Sequence, residues 1–315
     1  MYLARPHRYS PRDLVTRAPE LAPLAVHEVA VFGLGCLGAP SALEFARASI
    51  GGLRLLDGDH VDAATTIRWP FGLGAAGWPK AWAIAGAIRN DYPYVRVDER
   101  LAFAYHLGEA RRSAGQPGDA SLSEGEVLGK MLDGASLLYD ACAERAVQYL
   151  LAQAARGRSM PYISVQGTAG GWGGMVVCIE PGRTEGCWGC LQHWLGAPID
   201  QGGIPGAPAD AQRGEVRVEG CANQTYAGAN VDLGEVALMG VRVAMGVLAG
   251  GVPENGGPPA YPRGDWDVAV LSLRDERGRL LAPRWETFDL RRHPECSLCG
   301  ARTYGAVSGR AGASR

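Results

Sequence analysis

Val29-Ala30-Val31-Phe32-Gly33-Leu34-Gly35-Cys36-Leu37-Gly38 is the stretch that decides the fold. Four apolar residues read as a strand. Gly33, Gly35 and Gly38 then allow a tight strand-to-helix turn, with backbone N–H groups able to approach an anion at the positive end of a helix. Helical sequence follows from Ser41 to Ala48, and a second apolar strand, Leu53 to Leu56, ends at Asp57-Gly58-Asp59. An acidic pair about 20 residues beyond such a loop stands where a ribose hydroxyl is held in dinucleotide-binding folds. Farther on, Arg68 and the run Gly77-Trp78-Pro79-Lys80 add two cations. A glycine loop alone is a weak signal that suits a nicotinamide or flavin enzyme. Arg68 and Lys80 shift the reading to a triphosphate, whose charge needs several cations.

Around this segment, strands are predicted near Val29–Phe32, Leu53–Leu56, Arg96–Ala102, Ser136–Tyr139, Tyr162–Val165 and Met175–Ile179. Helical patterns fall at Ser41–Ala48, Ala81–Asp91, Glu124–Leu132 and Arg145–Arg156. Apolar strands alternating with amphipathic helices predict an α/β, Rossmann-like, mostly parallel sheet flanked by helices. A helix over Asp232–Leu248 and a C-terminal β-hairpin from Asp267 to Leu290, turning near Glu276-Arg277-Gly278, follow. Gly108–Gly125, Gly196–Gly214 and Gly250–Gly264 are rich in Gly, Ser and Pro and read as surface excursions.

The chain has 315 residues, 47% hydrophobic and 20% charged, enough for a full core in one large α/β domain or two small ones. A formal net charge of −2 gives no electrostatic reason for nucleic acid or an anionic membrane as a partner. No apolar run approaches the ~20 residues of a membrane span, and no signal-peptide core opens the sequence, so a cytoplasmic location is expected.

Cysteines in a cytoplasmic chain point to metal or catalysis before disulfides. Cys187-Trp188-Gly189-Cys190 and Cys296-Ser297-Leu298-Cys299 form two CxxC knuckles, and four thiolates at this spacing close a tetrahedral shell around zinc. A redox dithiol or plain core thiols are the competing readings. A zinc so held is structural, because no coordination position is left open, and it staples the mid-chain loop to the C-terminal segment. Cys178 sits in an apolar strand and reads as a small buried hydrophobe. Cys221 lies between the knuckles, after a flexible stretch and before the long helix, where a helix start lowers a thiol pKa. A buried helix-cap role is the alternative.

The combined spacing resembles the ThiF/MoeB/ubiquitin-activating-enzyme family of ATP-dependent adenylyltransferases, over roughly Arg8 to Gly300. That family shows a glycine loop, Asp-x-Asp, Asn-x-x-Arg and Gly-x-x-Lys. Here these are Gly33 to Gly38, Asp57/Asp59, Arg68 and Gly77/Lys80, with Thr65 in place of Asn and Trp69 in place of the usual Gln. The resemblance implies ATP-dependent adenylation of the C-terminal carboxylate of a ubiquitin-like or sulfur-carrier protein ending in Gly. Gly33, Gly35, Gly38, Asp59 and, as second choice, Asp57 would bind the nucleotide, with Lys80 and Arg68 on its phosphates. It also implies a thioester on Cys221 and a ubiquitin-conjugating-like enzyme as a further partner. Arg8-Tyr9-Ser10 and Arg12 resemble the family's opening, in which an arginine reaches the partner's site across a homodimer. Where the family ends its fourth strand with Asp-x-x-Asp, this chain has Asp140-Ala141-Cys142-Ala143-Glu144. Mg2+ is then left to Asp140, to Glu144 or to ATP itself. The organisation implied is an N-terminal arm over 1–25, an adenylation domain over 26–304 that includes a crossover loop at 191–229, and a disordered tail over 305–315.

Three other readings stand beside this one. They are a sulfur-carrier adenylyltransferase that stops at the adenylate, a non-catalytic pseudo-subunit, and a nicotinamide oxidoreductase that leaves Arg68 and Lys80 idle.

Overall fold

In strand β1 (Glu28–Phe32) the last four side chains are all buried, which places it inside the sheet with both faces covered. The structure is a computed structural model that describes residues 13, 15–103, 124–142, 144–212, 227–250 and 260–299. Arg8, Tyr9, Arg12, Ala143, Cys221 and the 305–315 tail lie outside the described residues. Eight strands form one sheet in the order β3-β2-β1-β4-β5-β6-β7-β8. The others are β2 (Gly52–Leu56), β3 (Arg96–Arg100), β4 (Leu137–Asp140), β5 (Tyr162–Gly167), β6 (Gly173–Ile179), β7 (Val268–Arg274) and β8 (Leu280–Phe288). The first five run parallel, and β5 through β8 pair antiparallel.

The change of direction has a covalent cause. Only the five residues Thr168 to Trp172 join β5 to β6, too few for the crossover of about a dozen or more that a parallel neighbour requires. The C-terminal hairpin stands as expected, with β7 mostly buried and β8 as the exposed outer edge.

Helices α1 (Gly38–Arg47), α2 (Lys80–Asp91), α3 (Glu124–Leu132), α4 (Arg145–Gly157), α5 (Trp188–Gly196) and α6 (Asn230–Ala249) cover the sheet. Alternation along β1 sorts the core. Val29 and Val31 meet α1, α2 and α6 on one face. Ala30 and Phe32 meet α3, α4 and α5 on the other. Phe45 of α1 stands edge-on to Tyr139 of β4 at 5.2 Å, and the Tyr139 hydroxyl is 2.9 Å from Ser41 Oγ. Burying rings such as these contributes about 1.5–3 kcal/mol each and fixes the helix that follows the glycine loop. Among the described residues no helix is long and apolar enough to cross a membrane.

Candidate functional site

Strands β1, β2 and β4 are parallel neighbours, so their C-terminal ends open on one edge of the sheet, where Gly33, Asp57 and Asp140 stand. Gly33 has φ of +81°, which few residues other than glycine adopt. A Cβ on Gly38 would lie 1.8 Å from the Gly33 carbonyl oxygen, so a side chain there would force the turn apart. A Cβ on Gly35 would meet nothing within 4 Å, which places that residue at the open side of the loop. Leu34, between these glycines, is held at both ends. Its N–H donates to Asp57 Oδ2 at 2.6 Å, and its carbonyl accepts from the Trp69 indole Nε1 at 2.8 Å. Among the described residues the N–H groups of Gly35, Leu37 and Gly38 have no acceptor. The start of α1 therefore presents unpaired donors, as an anion site at a helix N-terminus requires.

The two aspartates of Asp57-Gly58-Asp59 do different work. Asp57 is buried, and its second oxygen accepts from the Asp59 N–H at 2.8 Å. Burial pushes its carboxyl above the usual range, while the Lys80 charge and the two N–H bonds pull the other way. Asp59 is more exposed and pairs with Lys80, Oδ2 to Nζ 2.9 Å. A short ladder brings them together. Val61 N–H donates to the Trp78 carbonyl, Gly77 N–H to Val61, and Lys80 N–H to the Asp59 carbonyl. Lys80 opens α2 and is only 8% exposed, so its ammonium adds to the positive end of that helix. Arg68 follows the 3-10 helix Ala63–Ile67 and is partly buried. Burial raises the Cys36 thiol pKa, and the charges of Arg68 and Lys80 both pull it back, so both cations lie within electrostatic range of the glycine loop.

At the end of β4, Asp140 is fully buried and both of its oxygens are engaged. Oδ1 accepts from the Cys142 N–H at 2.9 Å and Oδ2 from the Tyr162 hydroxyl at 2.6 Å. Burial pushes its carboxyl up to about 6 despite those bonds. The Cys142 thiol is driven far up by burial and then by the Asp140 charge, which leaves it inert as a nucleophile. The Glu144 carboxylate makes no hydrogen bond or ion pair to another described residue.

Cys187, Cys190, Cys296 and Cys299 gather with all four sulfurs within 4.8 Å of one another. The separations Cys187–Cys190, Cys187–Cys296 and Cys190–Cys299 are 3.9, 3.6 and 3.2 Å. A tetrahedral Zn–S4 shell with ~2.3 Å bonds has S···S of about 3.8 Å, so the donor set fits such an ion and no disulfide is present. The His293 N–H donates to Cys190 Sγ at 3.2 Å, the kind of contact that orients a ligand sulfur. His193, His293 and Glu295 also lie close together, but the two rings are stacked at 4.3 Å with planes 6° apart. In-plane lone pairs on parallel rings do not converge on one ion, so this is a stacking contact.

Of the residues singled out in the sequence, Gly33, Gly35, Gly38, Asp57, Asp59, Arg68 and Lys80 assemble around one loop. Asp140 stands beneath it on β4, and the four knuckle cysteines form a separate cluster. Arg12 and Cys221 lie outside the described residues. Cys178 is buried in β6, as its apolar neighbours imply. Trp69 stands out in the sequence only as a departure from pattern, a tryptophan beside a candidate phosphate cation.

A parallel sheet whose first strand opens into a glycine loop, with an acidic turn and helix-borne lysine beside it, defines an α/β nucleotide-binding protein. The ThiF family profile matches residues 14–250, and the chain belongs to the ThiF family. The chain is 31% identical over 304 residues to y4oA of Sinorhizobium fredii, a protein of uncharacterised function, covering 95% of this chain and 47% of that protein. A second protein of that organism, y4qC, is 32% identical over 289 residues, covering 90% and 46%. The chain thus spans about half the length of these relatives. Among solved structures, E. coli MccB superposes with a TM-score of 0.61 at 13% identity, covering 95% of this chain and 75% of that chain. PaaA superposes with a TM-score of 0.56 at 17% identity, covering 91% and 86%. MccB has been solved with ATP and with MccA.

Proposed function

We propose that this chain catalyses ATP-dependent adenylation of the C-terminal carboxylate of a ubiquitin-like or sulfur-carrier protein, followed by attack of the Cys221 sulfur on the acyl carbon, which forms a thioester and releases AMP. The observation that carries the reading is the convergence of Lys80 and Arg68 on a glycine loop with unpaired N–H groups, beside Asp59. In the reaction a carboxylate oxygen bonds to the α-phosphorus and the bond to the β-phosphate oxygen breaks, releasing pyrophosphate. Both reactants are anions, so the protein's task is alignment and positive charge. Lys80, Arg68 and the N–H groups of Gly35, Leu37 and Gly38 supply that charge. Asp59 grips the ribose, and its ion pair keeps Lys80 in place. Asp57 shapes the loop. Magnesium, when bound, offsets phosphate charge. Asp140 has both oxygens engaged, which leaves Glu144 and the ATP phosphates as the fitting ligands. Zinc fits the four cysteines and holds the Cys187 turn to the C-terminal segment.

In this reading the protein is a cytoplasmic homodimer in which Arg12 reaches the partner's ATP site, and a ubiquitin-conjugating-like enzyme receives the thioester. A peptide in place of a carrier protein is the second reading, favoured by the resemblance to MccB, solved in complex with N-formylated MccA. ATP–pyrophosphate exchange with candidate carriers and peptides tests both. Exchange is expected with one class, and Lys80→Ala should depress it about 10²–10³-fold, as removal of one preorganised charge contact does. Cys221→Ala should keep exchange and lose a reductant-sensitive adduct with the carrier. Calorimetry showing tight NADH binding and no ATP binding ends the reading, and an adduct that persists in Cys221→Ala removes the thioester step.

A further inference from the structure

We infer that Trp69 is a positioning residue that aims the phosphate-binding N–H groups of the glycine loop. The inference rests on the ATP reading above. Its basis is the double hold on Leu34, whose N–H is fixed by Asp57 and whose carbonyl is fixed by the Trp69 indole. In a trans peptide the C=O and the following N–H point in opposite directions. Turning the Leu34 carbonyl inward to Trp69 therefore turns the Gly35 N–H outward. Gly35 itself borders open space, since a Cβ there would meet nothing within 4 Å, and its N–H has no acceptor among the described residues. The same rule applies one peptide earlier. Asp57 draws the Leu34 N–H inward, and the Gly33 carbonyl faces the opposite way, against Gly38, where a Cβ would lie 1.8 Å from it. Two consecutive peptide planes are set by two side chains from separate segments.

Trp69 is suited to this work by rigidity. Its side chain is buried, packs edge-on against Phe71 at 5.3 Å and belongs to the core shared with α1 and α2. Leu34 is fully buried, so without the indole N–H its carbonyl has no water to turn to. Trp69 also adjoins Arg68, and one backbone segment thus carries both the cation and the restraint on the loop. Loop and guanidinium are then held at a fixed spacing for a polyphosphate that touches both.

The test is Trp69→Phe, which keeps an aromatic ring and deletes the donor, and, should that protein unfold, benzothienylalanine at position 69, which keeps the two-ring shape without an N–H. Affinities for ATP and for adenosine are measured by competition against a fluorescent ATP analogue. The expected result is ATP affinity about tenfold weaker with adenosine affinity unchanged, because only the phosphates meet the loop. Equal loss for both ligands assigns Trp69 a general structural role and overturns the inference, as does no loss for either. Wild-type protein that binds no ATP overturns the function proposed above instead.

Discussion

Replacing each aspartate of Asp57-Gly58-Asp59 by asparagine separates a group that shapes the site from one that faces its ligand. Asp57 accepts two backbone N–H bonds, at 2.6 and 2.8 Å, inside the protein. An asparagine side chain keeps one acceptor oxygen. Its amide then confronts the other N–H, donor against donor. One charge-assisted bond disappears, worth about 1.5–3 kcal/mol, and a buried N–H is left unpaired at a further ~1–3 kcal/mol. Removing a buried charge returns part of that sum, since burial already strains this carboxylate, as its raised pKa records. A net loss of about 2–3 kcal/mol follows, or roughly 3–5 °C in melting temperature for a domain of this size. Asp59→Asn removes a charge whose side chain is 30% exposed but keeps an amide oxygen that can accept from the buried Lys80 ammonium, which limits the cost to about 1 kcal/mol.

Thermal unfolding by circular dichroism reads the stability difference, and calorimetric titration with ATP reads the functional one. Asp57→Asn should melt several degrees below wild type. Asp59→Asn should melt near wild type yet bind ATP at least tenfold more weakly. Equal melting temperatures for the two variants would refute the division of labour, as would an Asp59→Asn protein with unchanged ATP affinity.

Two further outcomes are expected. Purified protein should carry one zinc ion per chain by elemental analysis; Cys187→Ser or Cys299→Ser should lose it and melt early, since structural zinc is worth on the order of 10 kcal/mol in small domains, and metal-free wild type contradicts this. Asp140 gives a pH signature: its carboxyl is raised from the ordinary 3.8 to about 6, so its contribution to stability is full below 3.8 and lost as pH rises through about 6. Wild type measured against Asp140→Asn should therefore gain about 2 kcal/mol between pH 7 and pH 4. A difference that does not change over that range would show that Asp140 titrates normally.

Much of the site could be read from the sequence because its chemistry leaves few choices. A turn this tight needs Gly33 and Gly38, and the apolar run before it reads as a strand. The cysteine knuckles were legible by their spacing, though the 109 positions from Cys187 to Cys296 gave no hint of what joins them. That joint is made by β7 and β8, which return the chain to α5, and by Gly186 N–H donating to the Leu290 carbonyl. Helix α5 itself was not foreseen, since its nine residues start inside the first knuckle and carry no polar cap. The split between Asp57 and Asp59 was also beyond the sequence, because both are aspartates and only the fold turns one of them back toward Leu34. Trp69 was seen only as a mismatch. Its role depends on a contact across 35 positions that no local pattern encodes.

Two of the chain's departures from the family pattern, and the carboxylate it keeps at the end of β4, share a physical direction. Thr65, where the family has Asn, donates its hydroxyl to the Asp62 carbonyl and so closes its own turn. It also accepts the Arg68 N–H, which fixes where that arginine leaves the backbone. Trp69 spends its one donor on the Leu34 carbonyl. Asp140, the carboxylate kept at the end of β4, spends both oxygens on Tyr162 and Cys142. In each case a polar group at the rim of the site is directed at the protein's own backbone or side chains. That arrangement holds the loop, Arg68 and Lys80 at fixed spacing before any ligand arrives, and preorganised charge of this kind costs little reorganisation when a polyphosphate binds. With a tryptophan in place of a flexible amide, the ordering entropy is met during folding by a buried ring that the core already needs.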